Sequence, residues 1–145
     1  MRVAIVGSRD YPFLNHVWQF VTSLARAAPD TIIVSGGARG VDTVGAASAR
    51  LAGLPVEELL PDWDRHGELA GFERNSRIVE SCDRVVAFWD EASNGTRDTI
   101  SKALAAGKKV LVIGRGSVPI DVSKWGSRTD APTATAQLQR VDRHG

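Results

Sequence analysis

The sequence predicts an α/β fold in which a mainly parallel sheet of five strands is covered by helices on both faces. Short apolar runs rich in Val and Ile recur along the chain, and each run has the length of one strand. Between them lie stretches whose apolar residues follow steps of three and four, which is helical spacing. This alternation is typical of βαβ units, whose parallel strands are joined by right-handed crossovers.

The order of the strands in the sheet follows from their composition. We predict strands at residues 3–6, 32–34, 55–60, 85–88 and 110–113. The predicted helices lie at residues 14–28, 41–51, 68–82 and 96–106. The first, second and fourth strands are apolar and belong inside the sheet, whereas Glu57 and Glu58 favour an edge position for the third. These preferences give the order 3-2-1-4-5 and a Rossmann-like three-layer sandwich.

The fifth strand raises the question of how its outer edge is covered. Its sequence, V-L-V-I at residues 110–113, is too uniformly apolar for a bare edge. Either a second subunit or residues 117–122 of the same chain must therefore cover this strand or the adjoining helix. We expect a homodimer or a higher homo-oligomer.

Length and composition limit the class of protein. The 145 residues suffice for one domain with a real core, which we place at residues 1–127. Residues 128–145 include a stretch rich in Ala, Thr and Pro, and they are expected to form a flexible C-terminal tail. The formal net charge is +1, so no overall basic field favours nucleic acid, although a local basic patch is not excluded.

Cysteine and histidine usage narrows the chemistry further. The single cysteine, Cys82, excludes an internal disulfide framework, and its place in a helical apolar stripe indicates a core residue. The three histidines have no metal-binding spacing. We therefore expect a cytoplasmic protein with no metal, no cofactor and no membrane-spanning segment.

The chain is organised around residues 32–42, I-I-V-S-G-G-A-R-G-V-D. An apolar strand leads into a loop with Gly36, Gly37 and Gly40, and a helix begins at Val41. Backbone N–H groups and the positive end of the helix dipole then point into one crevice, which favours a phosphate. Arg39 can add a charged fork to the same anion. The spacing is neither G-x-G-x-x-G nor a P-loop, and the alternative is that the glycines serve tight turning alone.

Three loops are predicted to meet beyond the carboxyl ends of the strands, where the strand order reverses. They are the loop after the first strand, the glycine-rich loop just described, and the polar loop at residues 89–96. Asp42 is expected to hold loop amides or a ribose hydroxyl rather than a phosphate, because like charges repel. The candidate ligand-binding residues are Gly7, Ser8, Arg9, Ser35, Gly36, Gly37, Ala38, Arg39, Gly40, Asp42, Trp63, Trp89, Asn94, Gly95 and Thr96.

Six short motifs together resemble one known superfamily. They are V-G-S-R-D at 6–10, S-G-G-A-R-G-V-D at 35–42, D-W at 62–63, A-G-F-E-R-N at 70–75, D-R-V-V-A-F-W-D at 83–90 and N-G-T at 94–96. In this combination the chain resembles the SLOG superfamily of Rossmann-like nucleotide-binding proteins, most of all its YspA-type branch from bacteria and phages. The resemblance implies a nucleotide or nucleotide-derived ligand, and it adds Arg74 and Asn75 to the candidate binding residues.

Lonely Guy phosphoribohydrolases, members of this superfamily, cleave the N-glycosidic bond of modified adenosine monophosphates with an arginine and a glutamate. Arg74 resembles their arginine, whereas the glutamate position falls at Thr99, whose hydroxyl cannot replace a carboxylate in that mechanism. Asp98 is the nearby substitute, so Arg74 and Asp98 are the candidate catalytic residues. Adjacent helical side chains diverge by about 100°, so we expect Asp98 not to reach the place of a residue at 99. The prediction is little or no hydrolysis.

The DNA-processing protein A family, also related, binds single-stranded DNA. Arginines and the tryptophans Trp63 and Trp89 near the loops can supply a modest basic groove with stacking aromatics. The same residues suit a single nucleotide, with a tryptophan on the base and arginines on the phosphates. The alternative is that the two tryptophans close the end of the sheet. Arg77 is expected to pair with Glu73 or Glu80. Nucleotide binding or sensing is our first hypothesis, ahead of glycosidic-bond hydrolysis and of single-stranded DNA binding.

Overall fold

A computed structural model describes residues 1–123 and residue 125 of the chain. The predicted tail at residues 128–145 and the predicted domain boundary after residue 127 lie outside the described residues. The described part forms one sheet with helices packed on both of its faces.

The sheet has the predicted order and one additional strand. Its strands are β1 (Arg2–Gly7), β2 (Ile32–Ser35), β3 (Val56–Glu58), β4 (Arg84–Phe88), β5 (Lys109–Ile113) and β6 (Pro119–Ile120). They are arranged β3-β2-β1-β4-β5-β6, and the first five pair in parallel. The α/β class and the order 3-2-1-4-5 are therefore confirmed. β6 was not predicted because two residues show no period.

Five helices connect the strands. They are α1 (Leu14–Ala27), α2 (Val41–Leu51), α3 (Trp63–His66), α4 (Ala70–Ser81) and α5 (Asn94–Ala105). The helix predicted from residue 68 begins at Ala70, since a 3₁₀ turn at Gly67–Leu69 and the four-residue α3 precede it. Among the described residues, no helix is long and apolar enough to cross a membrane.

The core has two halves because side chains on a strand alternate between the faces of the sheet. On β1, Ala4 and Val6 join the half that includes α4 and α5, whereas Val3 and Ile5 join the half that includes α1 and α2. All four side chains are at most 5% exposed. Cys82 is buried in the first half, so its predicted place in the core is confirmed.

The two edges of the sheet are protected in different ways. β3 lies at one edge, as its glutamates predict, and Glu57 and Glu58 form ion pairs with Arg2 and Arg50. At the other edge, β6 pairs antiparallel with β5, with Val112 opposite Ile120. The cover for the apolar strand thus comes from the same chain, from within residues 117–122. A homodimer stays a prediction, because within the described residues β6 pairs only with Val112 and Ile113, and Leu111 of β5 is still 37% exposed.

Candidate functional site

A cavity of about 960 Å³ lies beyond the carboxyl ends of the strands. Its wall combines the loops after β1, β2 and β4 with the segment before α4 and the first turns of α4 and α5. The order of the sheet reverses between β1 and β4, so the cavity lies at the switch point where α/β folds bind ligands. We refer to this cavity as the cleft.

The cleft brings together most of the residues that the sequence singled out. Lining residues among the predicted ones are Gly7, Arg9, Gly36, Gly37, Ala38, Arg39, Asp42, Trp63, Arg74, Asn75, Gly95 and Thr96. Six other predicted residues do not line it: Ser8, Ser35, Gly40, Trp89, Asn94 and Asp98. Of these six, Ser8 and Ser35 support the loops from behind, because their hydroxyl oxygens accept loop N–H groups.

Asp42 joins two loops through its carboxylate. Its Oδ1 accepts a hydrogen bond from the Gly7 N–H at 3.2 Å, and its Oδ2 accepts one from the Ala38 N–H at 3.3 Å. The residue is 5% exposed, and burial raises the pKa of its carboxyl to about 6, opposed by the loop amides and by Arg74. The hypothesis that Asp42 holds loop amides is confirmed.

The glycine-rich loop after β2 is largely satisfied by its own chain. The Ala38 N–H is taken by Asp42, and the Gly37 N–H donates to Ser35 Oγ at 3.2 Å. Gly40 has a φ of 79°, and a Cβ there would lie 2.5 Å from the Arg9 carbonyl oxygen. Ser35 and Gly40 therefore shape the loop and its contact with the β1 loop, and their assignment as ligand-binding residues stays a prediction.

Arg74 and Asn75 tie this loop to the start of α5. The Arg74 guanidinium donates to the Gly36 carbonyl through Nη1 and to Asn75 Oδ1 through Nε, the latter at 3.1 Å. Asn75 Nδ2 donates to the Gly95 carbonyl at 3.2 Å. Burial lowers the pKa of Arg74, and the charge of Asp42 opposes this shift. Both side chains thus have positioning contacts within the wall of the cleft.

The loop after β4 is held by hydroxyl and carboxylate acceptors. Ser8 Oγ accepts the Asp90 N–H at 3.0 Å and lies 3.4 Å from Thr96 Oγ1. Asp90 Oδ1 accepts the N–H groups of Ala92 and Ser93 at 2.9 and 2.8 Å. The buried Ser8 side chain therefore supports the wall of the cleft from behind, and its assignment as a ligand contact stays a prediction.

The N-terminus of α5 opens toward the cleft. Ser93 is its N-cap, since Ser93 Oγ accepts the Thr96 N–H at 3.3 Å, and no acidic residue lies in the first turn. Gly95 is exposed, and a Cβ built there would meet nothing within 4 Å. Asn94 is exposed next to Gly95 and does not line the cleft, so its assignment as a ligand-binding residue stays a prediction. Ser93 and Asp90 were missed, although a Ser just before a helix is an N-cap signal.

Two predicted residues are engaged elsewhere. Trp89 is 1% exposed, its indole N–H donates to the Ser93 carbonyl at 3.0 Å, and it packs edge-to-face on Trp125. Trp89 therefore belongs to the core and cannot stack on a ligand. Asp98 forms an ion pair with Lys102 at 2.8 Å and lies outside the cleft, whereas its neighbour Thr99 lines it. The expectation that Asp98 does not reach the place of residue 99 is confirmed.

Exposed apolar side chains form one rim of the cleft. Leu60, Trp63 and Phe72 all line it and are 59%, 57% and 43% exposed. Trp63 was predicted, whereas Leu60 and Phe72 were missed because isolated apolar residues near a strand end or in a helix first indicate core. Arg77 donates to Glu73, as predicted.

The charges that line the cleft nearly cancel. Among the described residues, the lining cations are Arg9, Arg39 and Arg74, and the lining carboxylates are Asp10, Asp42, Glu68 and Asp90, which makes three against four. Within the same part of the chain, no group of three or more His, Cys, Asp or Glu residues is arranged to hold a metal ion. The lining of the cleft therefore has cationic and anionic side chains in nearly equal number.

The fold and the cleft together define a Rossmann-like α/β protein with a ligand cavity at its switch point. The chain belongs to the YspA, cpYpsA-related SLOG family, whose model matches residues 1–66. It is similar to the Gene 61 protein of Mycobacterium phage D29, with 36% identity over 120 residues that cover 78% of this chain and 96% of that protein.

Three solved structures share the fold at low sequence identity. DNA processing protein A from Streptococcus pneumoniae matches with a TM-score of 0.66 and 19% identity, over 93% of this chain and 56% of that one. DNA processing protein A from Helicobacter pylori matches with a TM-score of 0.63 and 22% identity, over 77% of this chain and 64% of that one. That structure is described in terms of its single-stranded DNA binding mode. The protein TM1055 matches with a TM-score of 0.68 and 20% identity, over 96% of this chain and 98% of that one. This chain thus spans less than two thirds of the length of each DNA-processing protein, 56% of the first and 64% of the second.

Proposed function

We propose that this protein binds a nucleotide or a nucleotide-derived molecule in the cleft. The single observation that carries the proposal is that one cavity combines an open helix N-terminus, arginine side chains and an exposed tryptophan. A nucleotide has a matching set of parts, namely an anionic phosphate, a hydroxylated sugar and a flat base. The cavity volume of about 960 Å³ is within the range of small-molecule sites.

The phosphate would lie at the start of α5. The first N–H groups of a helix have no intrahelical acceptor, and the dipole of the twelve-residue α5 favours an anion there. Gly95 leaves this helix end open, and no carboxylate of the first turn opposes an anion. The glycine-rich loop after β2, our first expectation for the phosphate, has its Gly37 and Ala38 amides engaged.

The base would stack on Trp63. This side chain is 57% exposed at the rim of the cleft, where a flat apolar ring gains contact area by covering it. Phe72 lies on the same wall. A ligand that spans from α5 to this rim would use both the polar and the apolar parts of the cavity.

Hydrolysis of a glycosidic bond has less support than binding. Thr99 lines the cleft where the related hydrolases have a glutamate, and its hydroxyl donates to the Gly95 carbonyl at 3.3 Å. Asp98 is held by Lys102 and Asn75 outside the cleft. The cleft therefore lacks a carboxylate at the position that this mechanism needs.

Binding of single-stranded DNA is the alternative from another class. A strand-binding groove is basic, whereas the cleft has three lining arginines against four lining carboxylates. A strand binder should bind longer oligonucleotides more tightly and weaken steeply with salt, while a one-nucleotide pocket should show neither trend strongly. Competition between adenosine monophosphate and a labelled oligonucleotide at several lengths and salt concentrations separates the two functions.

The proposal is tested first by mass spectrometry of small molecules released from the purified protein, and then by calorimetry with adenosine monophosphate. Trp63→Ala should weaken binding about tenfold, which corresponds to the loss of a stacking contact. Trp18→Ala is the matched control, because Trp18 is 42% exposed on α1 and does not line the cleft. Absence of any nucleotide-derived molecule by both methods, or equal effects of the two variants, would contradict the proposal.

A further inference from the structure

Asp42 occupies the position in which a glycine-rich loop would receive an anion from a ligand. Its two carboxylate oxygens accept the N–H groups of Gly7 and Ala38 at 3.2 and 3.3 Å, from two different loops. These are the donors that would otherwise point into the cleft after β1 and β2. The protein therefore has a resident anion at this end of its own site.

Arg74 is the charged side chain whose field acts on Asp42 among the described residues. It reaches the same place from α4, where its guanidinium also donates to the Gly36 carbonyl. The β1 loop and the β2 loop face Asp42 with backbone amides of Gly7, Gly36 and Ala38. The other charged residues of the cleft are Arg9, Asp10, Arg39, Glu68 and Asp90. Part of the attraction of Arg74 for an external anion is thus neutralised from within.

On the basis of the proposed function, we propose that Asp42 determines which part of the ligand each end of the cleft accepts. Its carboxylate repels phosphate from the β2 side of the cleft and leaves that side to hydroxyl groups, such as those of a sugar. The phosphate is thereby directed to the start of α5. Asp42 is a specificity-determining residue in this arrangement.

The same geometry makes anion binding depend on pH. Burial raises the pKa of the Asp42 carboxyl to about 6, so the resident charge is present at neutral pH and is lost as the pH falls below that value. Loss of the charge leaves Arg74 without its counterion. The affinity for an anion on the β2 side should then rise.

Inorganic sulfate is a suitable probe because it stays divalent across this pH range, unlike phosphate. Asp42→Asn removes the resident charge at nearly constant shape and should increase sulfate affinity about tenfold near neutral pH. Asp42→Ala also exposes the two loop amides and should bind sulfate at least as tightly. Asp10→Asn is the matched control, because it removes one carboxylate from the wall of the same cleft without touching the two amides.

Sulfate titrations followed by amide NMR should show the gain of about tenfold in both Asp42 variants and a clearly smaller change in Asp10→Asn. In the wild type, affinity should rise toward that of Asp42→Asn as the pH falls through about 6, which tests the proposal even if the variants fold poorly. Equal sulfate affinity in the wild type and Asp42→Asn, or a gain of the same size in Asp10→Asn, would overturn it. Adenosine monophosphate binding by the wild type is measured separately, so failure of the proposed function and failure of this inference are distinguishable.

Discussion

The two loops that lead into α2 and α5 have similar sequences of small and polar residues. They differ in how many of their backbone N–H groups are accepted by side chains and in how closely their glycines are packed. The β2 loop is closed on itself, since Asp42 and Ser35 accept its amides and Gly40 packs against the β1 loop. At the start of α5, Ser93 Oγ accepts the Thr96 N–H and Asp90 Oδ1 accepts the Ser93 N–H, while the space around Gly95 is open. Glycines before a helix thus pack against a neighbouring loop in one case and leave the helix end open in the other.

The largest expected effect is on the closed loop. Gly40→Ala places a Cβ 2.5 Å from the Arg9 carbonyl oxygen at a φ of 79°, and it should lower the free energy of unfolding by about 3 kcal/mol. Gly53→Ala is the control, because Gly53 also has a positive φ of 85° but open space around it. It should cost about 1 kcal/mol from strain alone. If urea denaturation shows the same loss of unfolding free energy in Gly40→Ala and Gly53→Ala, the close packing of Gly40 against the β1 loop does not contribute to stability.

The charge that closes the loop should appear in the pH dependence of stability. The folded pKa of Asp42, about 6, exceeds its ordinary value of 3.8, so the folded state binds the proton more tightly than the unfolded state. The resulting stabilisation is fully present when the pH is below the ordinary pKa of 3.8, and it is lost as the pH rises through about 6. Relative to Asp42→Asn, the wild type should lose about 1 to 3 kcal/mol over this interval. Parallel pH profiles of the two proteins in urea denaturation would contradict this prediction.

The open loop should respond in binding rather than in stability. Gly95→Leu places a side chain where the Cβ meets nothing within 4 Å, so the fold should persist while the space for an anion is filled. Adenosine monophosphate affinity should fall by about tenfold or more in calorimetry. Ser101→Leu, an exposed position on the same helix, is the control and should bind normally. An unchanged affinity of Gly95→Leu would remove the start of α5 from the site.

The smallest expected effect concerns hydrolysis. Asp98 forms an ion pair with Lys102 and accepts a hydrogen bond from Asn75, but it does not line the cleft, so Asp98→Asn should leave adenosine monophosphate binding within about twofold of the wild type. The wild type should release little or no base from adenosine monophosphate or its N6-substituted forms. Measurable base release that Asp98→Asn abolishes would make this protein an enzyme and reverse our ranking.

Local sequence patterns were sufficient to predict the architecture and the location of the cleft. Apolar runs, helical spacing and the glutamates of β3 gave the class, the strand order and the edge, since these depend on local periodicity and on the handedness of crossovers. The position of the cleft followed from the same order, because ligands of open α/β sheets bind where the order reverses. The assignment of Asp42 to loop amides followed from like-charge repulsion.

Which of two similar residues faces the cleft depends instead on long-range packing, which local patterns do not describe. Trp63 and Trp89 both lie in the chain shortly after a strand, β3 and β4 respectively. Trp63 is nevertheless 57% exposed, whereas Trp89 is 1% exposed. Asp42 meets Gly7 across 35 positions of the chain, and β5 is covered by a strand too short to have a pattern. These outcomes depend on distances between residues that are remote in sequence and on which buried groups find a hydrogen-bond partner. Periodicity and composition contain neither quantity.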